Sequence, residues 1–199
     1  IKVCSSMNDS FIHEEIVVGP FQCNCQILVC PKTLATVIID PGDEAEKILA
    51  KVAEIEQRLG SPLKVQHLFH THAHLDHIGA TRAIKESYTS QPDIYLHPDD
   101  VELYTQLREQ GRLFGFDYND PLPVDQEFGD QQELRVGEMK FSLIHTPGHS
   151  PGSVCLRLSE DSLLGIEEAL FSGDTLFQGS IGRTDLWGGN LDQLLKNIK

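Results

Sequence analysis

Residues 71 to 77 read THAHLDH, a run that places three imidazoles and one carboxylate within seven positions, directly after an apolar segment. Side chains at i and i+2 of an extended segment point to the same side, so His72 and His74 can bind one cation. Asp76, two residues further on, would point to the same side as these histidines, whereas His77 would point elsewhere. The run can therefore contribute ligands to two neighbouring metal positions. Imidazole is a common zinc ligand. A metal loop is therefore favoured over a solvated polar loop.

Composition limits the classes of function. The chain has 199 residues, of which 40% are hydrophobic and 23% charged, as expected for one folded domain. Its formal net charge of −14 disfavours nucleic acid and anionic membranes as partners, because neutralising phosphates requires clustered Lys and Arg. No apolar run approaches the roughly 20 residues of a membrane span. The expected partner is a small molecule.

The number of cysteines, five, is odd, and most of them lie in apolar segments typical of strands. This predicts buried free thiols in a reducing cytoplasm. A metal or redox pair formed by Cys23 and Cys25 is the weaker alternative, because C-x-C is a poor signal. The five are Cys4, Cys23, Cys25, Cys30 and Cys155.

Hydrophobic periodicity predicts an α/β domain with polar loops at strand ends, where sites usually form. Strands are predicted at 11–18, 25–30, 36–39, 64–69, 94–96, 139–144, 153–158 and 169–172. Helices are predicted at 45–60 and 78–88 and from Pro98, with an exposed loop over 111–123 and a helical pattern at the end of the chain.

Two more strand ends carry candidate metal ligands. The turn TPGHSPG at 146–152 presents His149, and GDT at 173–175 presents Asp174. We expect the three loops to converge on one site. Asp40, at another strand end, is predicted to accept the N–H of a ligand imidazole. His97 and His145 are predicted to be hydrogen-bonded structural residues.

Three motifs in this order, THxHxDH, TPGHSPGS and FSGDTLFQGSIGRTD, resemble those of the metallo-β-lactamase superfamily, specifically its glyoxalase II-like hydrolases. The similarity runs from about Gly19 to the end of the chain. It implies an αβ/βα sandwich, in which two mixed sheets face each other with helices outside.

The resemblance also implies a ligand set for two divalent metal ions, with zinc expected and iron or manganese as alternatives. His72, His74 and His149 would hold the first metal, Asp76 and His77 the second, and Asp174 would bridge them. The family adds a histidine from a later loop, but no histidine follows His149 here. We therefore expect residues 1–199 to be a single domain that lacks its C-terminal end.

The metals would make a hydroxide available near neutral pH, because they lower the pKa of water from about 15.7 to around 7. Asp76 is the predicted catalytic residue, since its carboxylate could orient the hydroxide. The resemblance implies hydrolysis of an S-acylglutathione thioester, for example S-lactoylglutathione to glutathione and lactate. Arg183 matches a basic residue that grips glutathione in the family; the alternative is an ion pair with Asp185.

Two other functions remain open. A mononuclear iron persulfide dioxygenase of the same superfamily would use His72, His149 and Asp174, with no need for a further histidine. A non-catalytic metal-binding member is the second alternative. A β-lactamase is disfavoured because the third loop offers Asp174 where those enzymes use a cysteine.

Overall fold

Short segments rich in Val, Ile and Leu pair into a six-stranded sheet. The computed structural model describes residues 11–129, 133–161 and 165–199, so Cys4 lies outside the described residues. The strands are β1 (Ile12–Val18), β2 (Cys23–Val29), β3 (Ala35–Ile39), β4 (Lys64–Phe69), β5 (Asp93–Leu96) and β6 (Gln126–Glu127). They stand in chain order; β1, β2 and β3 pair antiparallel, and β3 to β6 pair parallel.

A second, antiparallel sheet follows in the order β10, β9, β8, β7. Its strands are β7 (Glu133–Val136), β8 (Met139–His145), β9 (Val154–Leu158) and β10 (Ala169–Phe171). A two-stranded hairpin then forms from β11 (Leu176–Phe177) and β12 (Ser180–Ile181). The strands predicted from periodicity are confirmed within about two residues at each end.

Helices lie outside the sheets. They are α1 (Ala45–Leu59), α2 (Leu75–Ile78), α3 (Thr81–Ser87), α4 (Val101–Thr105), α5 (Leu107–Phe114) and α6 (Leu191–Asn197), with a 3-10 turn at Pro98–Asp100. In the described residues no helix has the length and apolar character needed to cross a membrane. The first helix buries Ile48, Val52 and Ile55 at helical spacing and ends at Gly60, whose left-handed φ of 64° closes it.

Two helix predictions need correction. The helix predicted at 78–88 starts later than predicted: α2 ends at Ile78, and the following helix α3 spans Thr81–Ser87. The exposed loop predicted from residue 111 is wrong at its start, since α5 continues to Phe114 and Gly115 ends it with a φ of 81°. Tyr118 packs against the Gly111 face of this helix, at a distance that leaves no room for a Cβ there.

The core has two layers. One lies between the first sheet and helices such as α1, α3 and α4, and the other fills the space between the two sheets with aromatic and branched side chains. This arrangement confirms the predicted αβ/βα sandwich. Because β3, β4 and β5 are parallel, their carboxyl ends share one edge, and the loops that follow β8 and β10 reach the same edge.

Candidate metal centre

Three imidazoles from two loops converge at the shared edge. His72 and His74 lie in the loop after β4, and His149 lies in the turn after β8. His149 Nε2 is 2.8 Å from His74 Nδ1 and 3.1 Å from His72 Nε2. All three side chains are buried. His72 and His74 therefore point to one place, as the alternation of side chains along an extended segment predicts.

Neighbouring acceptors determine which ring nitrogens carry protons. The Thr71 hydroxyl donates its proton to Asp40 Oδ2 at 2.7 Å, so it accepts from His72 Nδ1–H at 3.1 Å. His149 Nδ1–H donates to the main-chain oxygen of Arg183 at 2.7 Å. The Nε2 lone pairs of both histidines consequently point into the centre, as metal ligands require.

A second group of donors adjoins the first. His77 Nε2 lies 3.3 Å from Asp174 Oδ1 and 3.6 Å from Asp76 Oδ2, and Asp174 Oδ2 is 3.5 Å from His149 Nε2. Asp174 therefore contacts both groups, the position expected of a bridging carboxylate. The extended parity expected for Asp76 is wrong, because helix α2 begins at Leu75 and places Asp76 and His77 on a helical turn.

Asp40 supports the second group. Its Oδ2 accepts from His77 Nδ1–H at 3.0 Å, and its Oδ1 accepts from the Thr71 N–H at 2.8 Å. Asp40 has a positive φ of 52°, a conformation that Asp tolerates better than most residues. The sequence-based expectation that Asp40 orients a ligand imidazole agrees with this geometry.

Burial sets the protonation of the histidines. Removal from water lowers the pKa of His72 well below its usual value and lowers the pKa of His74 to about 3, with further lowering from neighbouring histidines. Both imidazoles are neutral at pH 7. Burial also opposes the charged form of His77, but the carboxylates of Asp40 and Asp174 outweigh it and raise the pKa of this side chain.

This donor set fits metal ions. Neutral nitrogens with lone pairs directed at one point repel one another unless a proton or a cation lies between them. Ligands about 2.0–2.1 Å from a tetrahedral zinc stand about 3.3 Å apart, close to the separations seen here. His72, His74 and His149 would hold one ion, and His77 and Asp76 a second, with Asp174 shared.

Asp100 connects the two histidine loops, and sequence reasoning missed it. Its carboxylate is fully buried and accepts from the Ala73 N–H at 2.9 Å, the Ser150 hydroxyl at 2.7 Å and the Gly152 N–H at 2.6 Å. Burial raises the pKa of this carboxyl, and the three donors oppose that shift. Asp100 follows β5, a parallel strand beside β4, and this strand-end position becomes apparent only once the β4–β5 pairing is known.

Two glycines permit close packing around the ligands. A Cβ on Gly42 would lie 1.5 Å from the main-chain oxygen of Asp76, and one on Gly182 would lie 1.8 Å from that of Asp174. The Gly182 Cβ would also stand 3.2 Å from His149 Nδ1. Any larger residue must displace the backbone that carries these ligands.

Arg183 is placed differently from the other predicted site residues. Its exposed guanidinium forms two hydrogen bonds with Asp185, at 2.7 and 2.8 Å, which is the ion pair named as the alternative. Its main-chain oxygen, rather than its charge, contacts the centre through His149. His97 and His145 stack on each other with ring centroids 3.9 Å apart.

An open cleft of about 420 Å³ adjoins the second group of donors. It lies between the first strands of the six-stranded sheet and β10, and Asp76, His77 and Asp174 contribute to its lining. Cys23, also in this lining, has its sulfur 3.6 Å from His77 Nδ1. Burial raises the pKa of both Cys23 and Cys25, so both thiols are protonated at neutral pH.

Comparisons with known proteins identify the family. The family model described as "Metallo-beta-lactamase superfamily" matches residues 18–199. The hydroxyacylglutathione hydrolase GloC of Haemophilus influenzae is 34% identical over 188 residues, which cover 94% of this chain and 82% of that protein.

Two solved structures are also similar. TTHA1623, solved in a di-iron-bound form, is 35% identical with a TM-score of 0.75, covering 93% of this chain and 83% of its own. The BLEG-1 B3 metallo-beta-lactamase is 36% identical with a TM-score of 0.78, covering 94% and 83%. With the family match over most of its length, this chain belongs to the metallo-beta-lactamase superfamily.

Proposed function

We propose that this chain hydrolyses thioesters of the S-acylglutathione type, using two divalent metal ions. Members of its superfamily are mostly metal-dependent hydrolases, and the relative GloC is a hydroxyacylglutathione hydrolase. The observation that carries the proposal is the shared position of Asp174 between two donor groups, at 3.3 Å from His77 Nε2 and 3.5 Å from His149 Nε2. Zinc suits the mixed nitrogen and oxygen donors.

When bound, divalent ions polarise a carbonyl and lower the pKa of water toward 7. The side chains of the chain do the rest. The Thr71 hydroxyl and the Arg183 carbonyl keep His72 and His149 in their ligand tautomers. Asp76, half-buried at the cleft, would orient the attacking water by accepting its hydrogen bond.

The reaction balances without a Ser or Cys nucleophile. The water oxygen forms a bond to the carbonyl carbon, the carbon–sulfur bond breaks, and the electron pair leaves on the thiolate. One water proton passes by way of Asp76 to solvent or to the departing sulfur, and the other stays on the carboxylic acid product, which then ionises in water. A thiolate is a good leaving group, so no strong general acid is required at the sulfur.

Thiol release from S-lactoylglutathione tests the proposal. The metal-free chain, the chain reloaded with zinc, manganese or iron, and the variant His72→Ala are compared. Hydrolysis should require metal and should fall to the buffer rate in His72→Ala, while the exposed-site control Asp99→Asn keeps activity. A metal-saturated chain that is no faster than buffer contradicts the proposal and indicates a non-catalytic member.

A persulfide dioxygenase is the second candidate, and one geometric feature favours it. His72, His149 and Asp174 meet around His149 Nε2, at 3.1 and 3.5 Å, in the two-histidine, one-carboxylate composition of non-haem iron oxygenases. Oxygen uptake by the iron-loaded chain with glutathione persulfide distinguishes this activity. A parallel β-lactam assay tests the activity named for BLEG-1.

We place the reaction in the cytoplasm. Four cysteines of the described chain are buried free thiols, which suits a reducing compartment: Cys23, Cys25, Cys30 and Cys155. Thiol titration of the native and unfolded protein checks this, since all should react only after unfolding. Arg183 is proposed as a substrate contact once Asp185 releases it, and Arg183→Gln should then raise KM with kcat unchanged.

A further inference from the structure

The wall of the cleft opposite β10 carries a row of hydrogen-bonded polar side chains, Glu15, Gln26 and His13, which we call the polar ladder. The proposed chemistry does not use it. Glu15 on β1 and Gln26 on β2 are register partners, and Gln26 in turn pairs with Ile39, the residue before Asp40. With strands about 4.8 Å apart, Glu15 stands about 10 Å from the strand that delivers Asp40. The ladder is thus within reach of a substrate whose carbonyl lies at the metal centre.

The carboxylate of Glu15 orders the rest of the ladder. Gln26 Nε2 donates to Glu15 Oε2 at 2.9 Å, because an ionised carboxylate can only accept. The same nitrogen donates to the main-chain oxygen of Asn24 at 3.3 Å. Gln26 Oε1 must then face His13, whose Nε2–H donates to it at 2.7 Å. Gln26 is buried, so this orientation is fixed.

What the ladder presents to the cleft is therefore hydrogen-bond acceptors. The Gln26 amide hydrogens are committed, and the Glu15 carboxylate accepts further hydrogen bonds beyond the one from Gln26. A wall of acceptors suits a ligand group that donates hydrogen bonds, and the negative charge of Glu15 suits a positively charged group. Among the described lining residues, none is Lys or Arg.

Aromatic rings complete the surroundings. The His13 ring meets Phe171 of β10 edge-on, with centroids 5.3 Å apart and an interplanar angle of 85°, so the ladder touches both walls of the cleft. Phe21 and Phe177 also line the cleft, and each is 44% exposed. Ring faces attract ammonium groups.

We propose that Glu15, held by Gln26 in a cleft that aromatic rings also line, binds an ammonium group on the substrate. The inference rests on the proposed thioester function, since it assigns the part of the substrate remote from the reacting carbonyl. The ammonium belongs either to the thiol half or to the acyl half of the thioester.

Binding to the metal-loaded protein tests the subsite without turnover. Three methyl thioethers are titrated by calorimetry or NMR: those of 2-(dimethylamino)ethanethiol, N-acetylcysteamine and 3-mercaptopropionate, which are cationic, neutral and anionic. The wild type should bind the cation about tenfold tighter than the other two. Glu15→Gln keeps an acceptor for Gln26 but removes the charge, and it should abolish this preference.

Glu46→Gln is the matched control, because Glu46 is an exposed carboxylate on α1 outside the cleft lining, and the preference should survive there. Equal affinities, no detectable binding of any thioether, or a preference that survives Glu15→Gln overturns the inference. Thioesters with a dimethylamino group in the thiol or the acyl half then identify the source by kcat/KM. If no thioester is hydrolysed, the proposed function fails, and the thioether titrations judge the Glu15 subsite separately.

Discussion

Asp100 Oδ2 accepts a hydrogen bond from Ser150 Oγ at 2.7 Å, which joins the strand end after β5 to the loop that carries His149. The same oxygen accepts from the main-chain N–H of Ala73, the residue between His72 and His74. One buried carboxylate therefore holds both halves of the first metal position in register.

Replacing Asp100 should damage stability and metal binding together. Asp100→Ala leaves three buried donors without their acceptor, and hydrogen bonds to a charged group contribute about 1.5–3 kcal/mol each, so we expect a loss of roughly 3 kcal/mol or more. Denaturant unfolding measures this, and zinc affinity should fall about 10- to 100-fold. Asp99→Ala, at the exposed neighbour, is the control. Equal behaviour of the two variants would show that Asp100 does not connect the loops.

Asp40→Asn should weaken the second metal position selectively. The substitution preserves the positive φ of 52°, which Asn tolerates, but removes the charge that accepts from His77 Nδ1–H. Zinc competition titrations should show about a 10- to 100-fold loss at the weaker of two sites, with the tighter site changed much less. Uniform weakening of both sites would indicate a general disturbance of the edge instead.

Gly182→Ala should cost stability out of proportion to one methyl group. The new Cβ would stand 1.8 Å from the Asp174 main-chain oxygen, so the loop carrying Asp174 must move. Overpacking of this kind costs about 1–3 kcal/mol, and here it should also lower metal content. Ser180→Ala, in the exposed hairpin nearby, serves as the comparison. Normal metal content in Gly182→Ala argues against the tight packing described.

The metal-free protein should lose stability as the pH falls below about 6.5. Burial lowers the pKa of His70 to about 4 and that of His74 to about 3, so the unfolded chain takes up their protons first. The stabilising contribution of these two histidines is full above about pH 6.5, the pKa of an unfolded histidine, and declines as the pH drops toward their pKa values in the folded protein. The pKa of His77 is raised, so its stabilising contribution is full below about pH 6.5 and is lost as the pH rises above that value.

Urea unfolding of the chelator-treated protein between pH 7.5 and 5 measures this decline. His74→Gln should make stability fall less steeply at acid pH, because it removes one of the buried neutral imidazoles. An acid limb that is flat in the wild type is incompatible with buried, neutral histidines.

Much of the site was predictable because each predicted ligand follows an apolar strand run. His72, His74, His149 and Asp174 needed only period-two patterning and the rule that sites form at strand ends. Asp100 escaped because Pro98 reads as a helix start, and nothing local shows that β5 lies beside β4. The short helix α2 could not be predicted either, because four residues are too few to show the 3.6-residue hydrophobic period of a helix.

The cleft wall depends on pairing across strands, which one sequence does not reveal. Glu15 and Gln26 are eleven positions apart, and only the antiparallel register makes them partners. Phe171 reaches His13 from the other sheet. Such contacts are set by tertiary packing rather than by local pattern.

Anomalous diffraction at the zinc edge from crystals of the zinc-loaded protein tests the central claim most directly. The account predicts one ion bound by His72 Nε2, His74 Nδ1 and His149 Nε2, and a second bound by His77 Nε2 and Asp76, with Asp174 between them. Peaks elsewhere, or none among these side chains at saturating zinc, would contradict it.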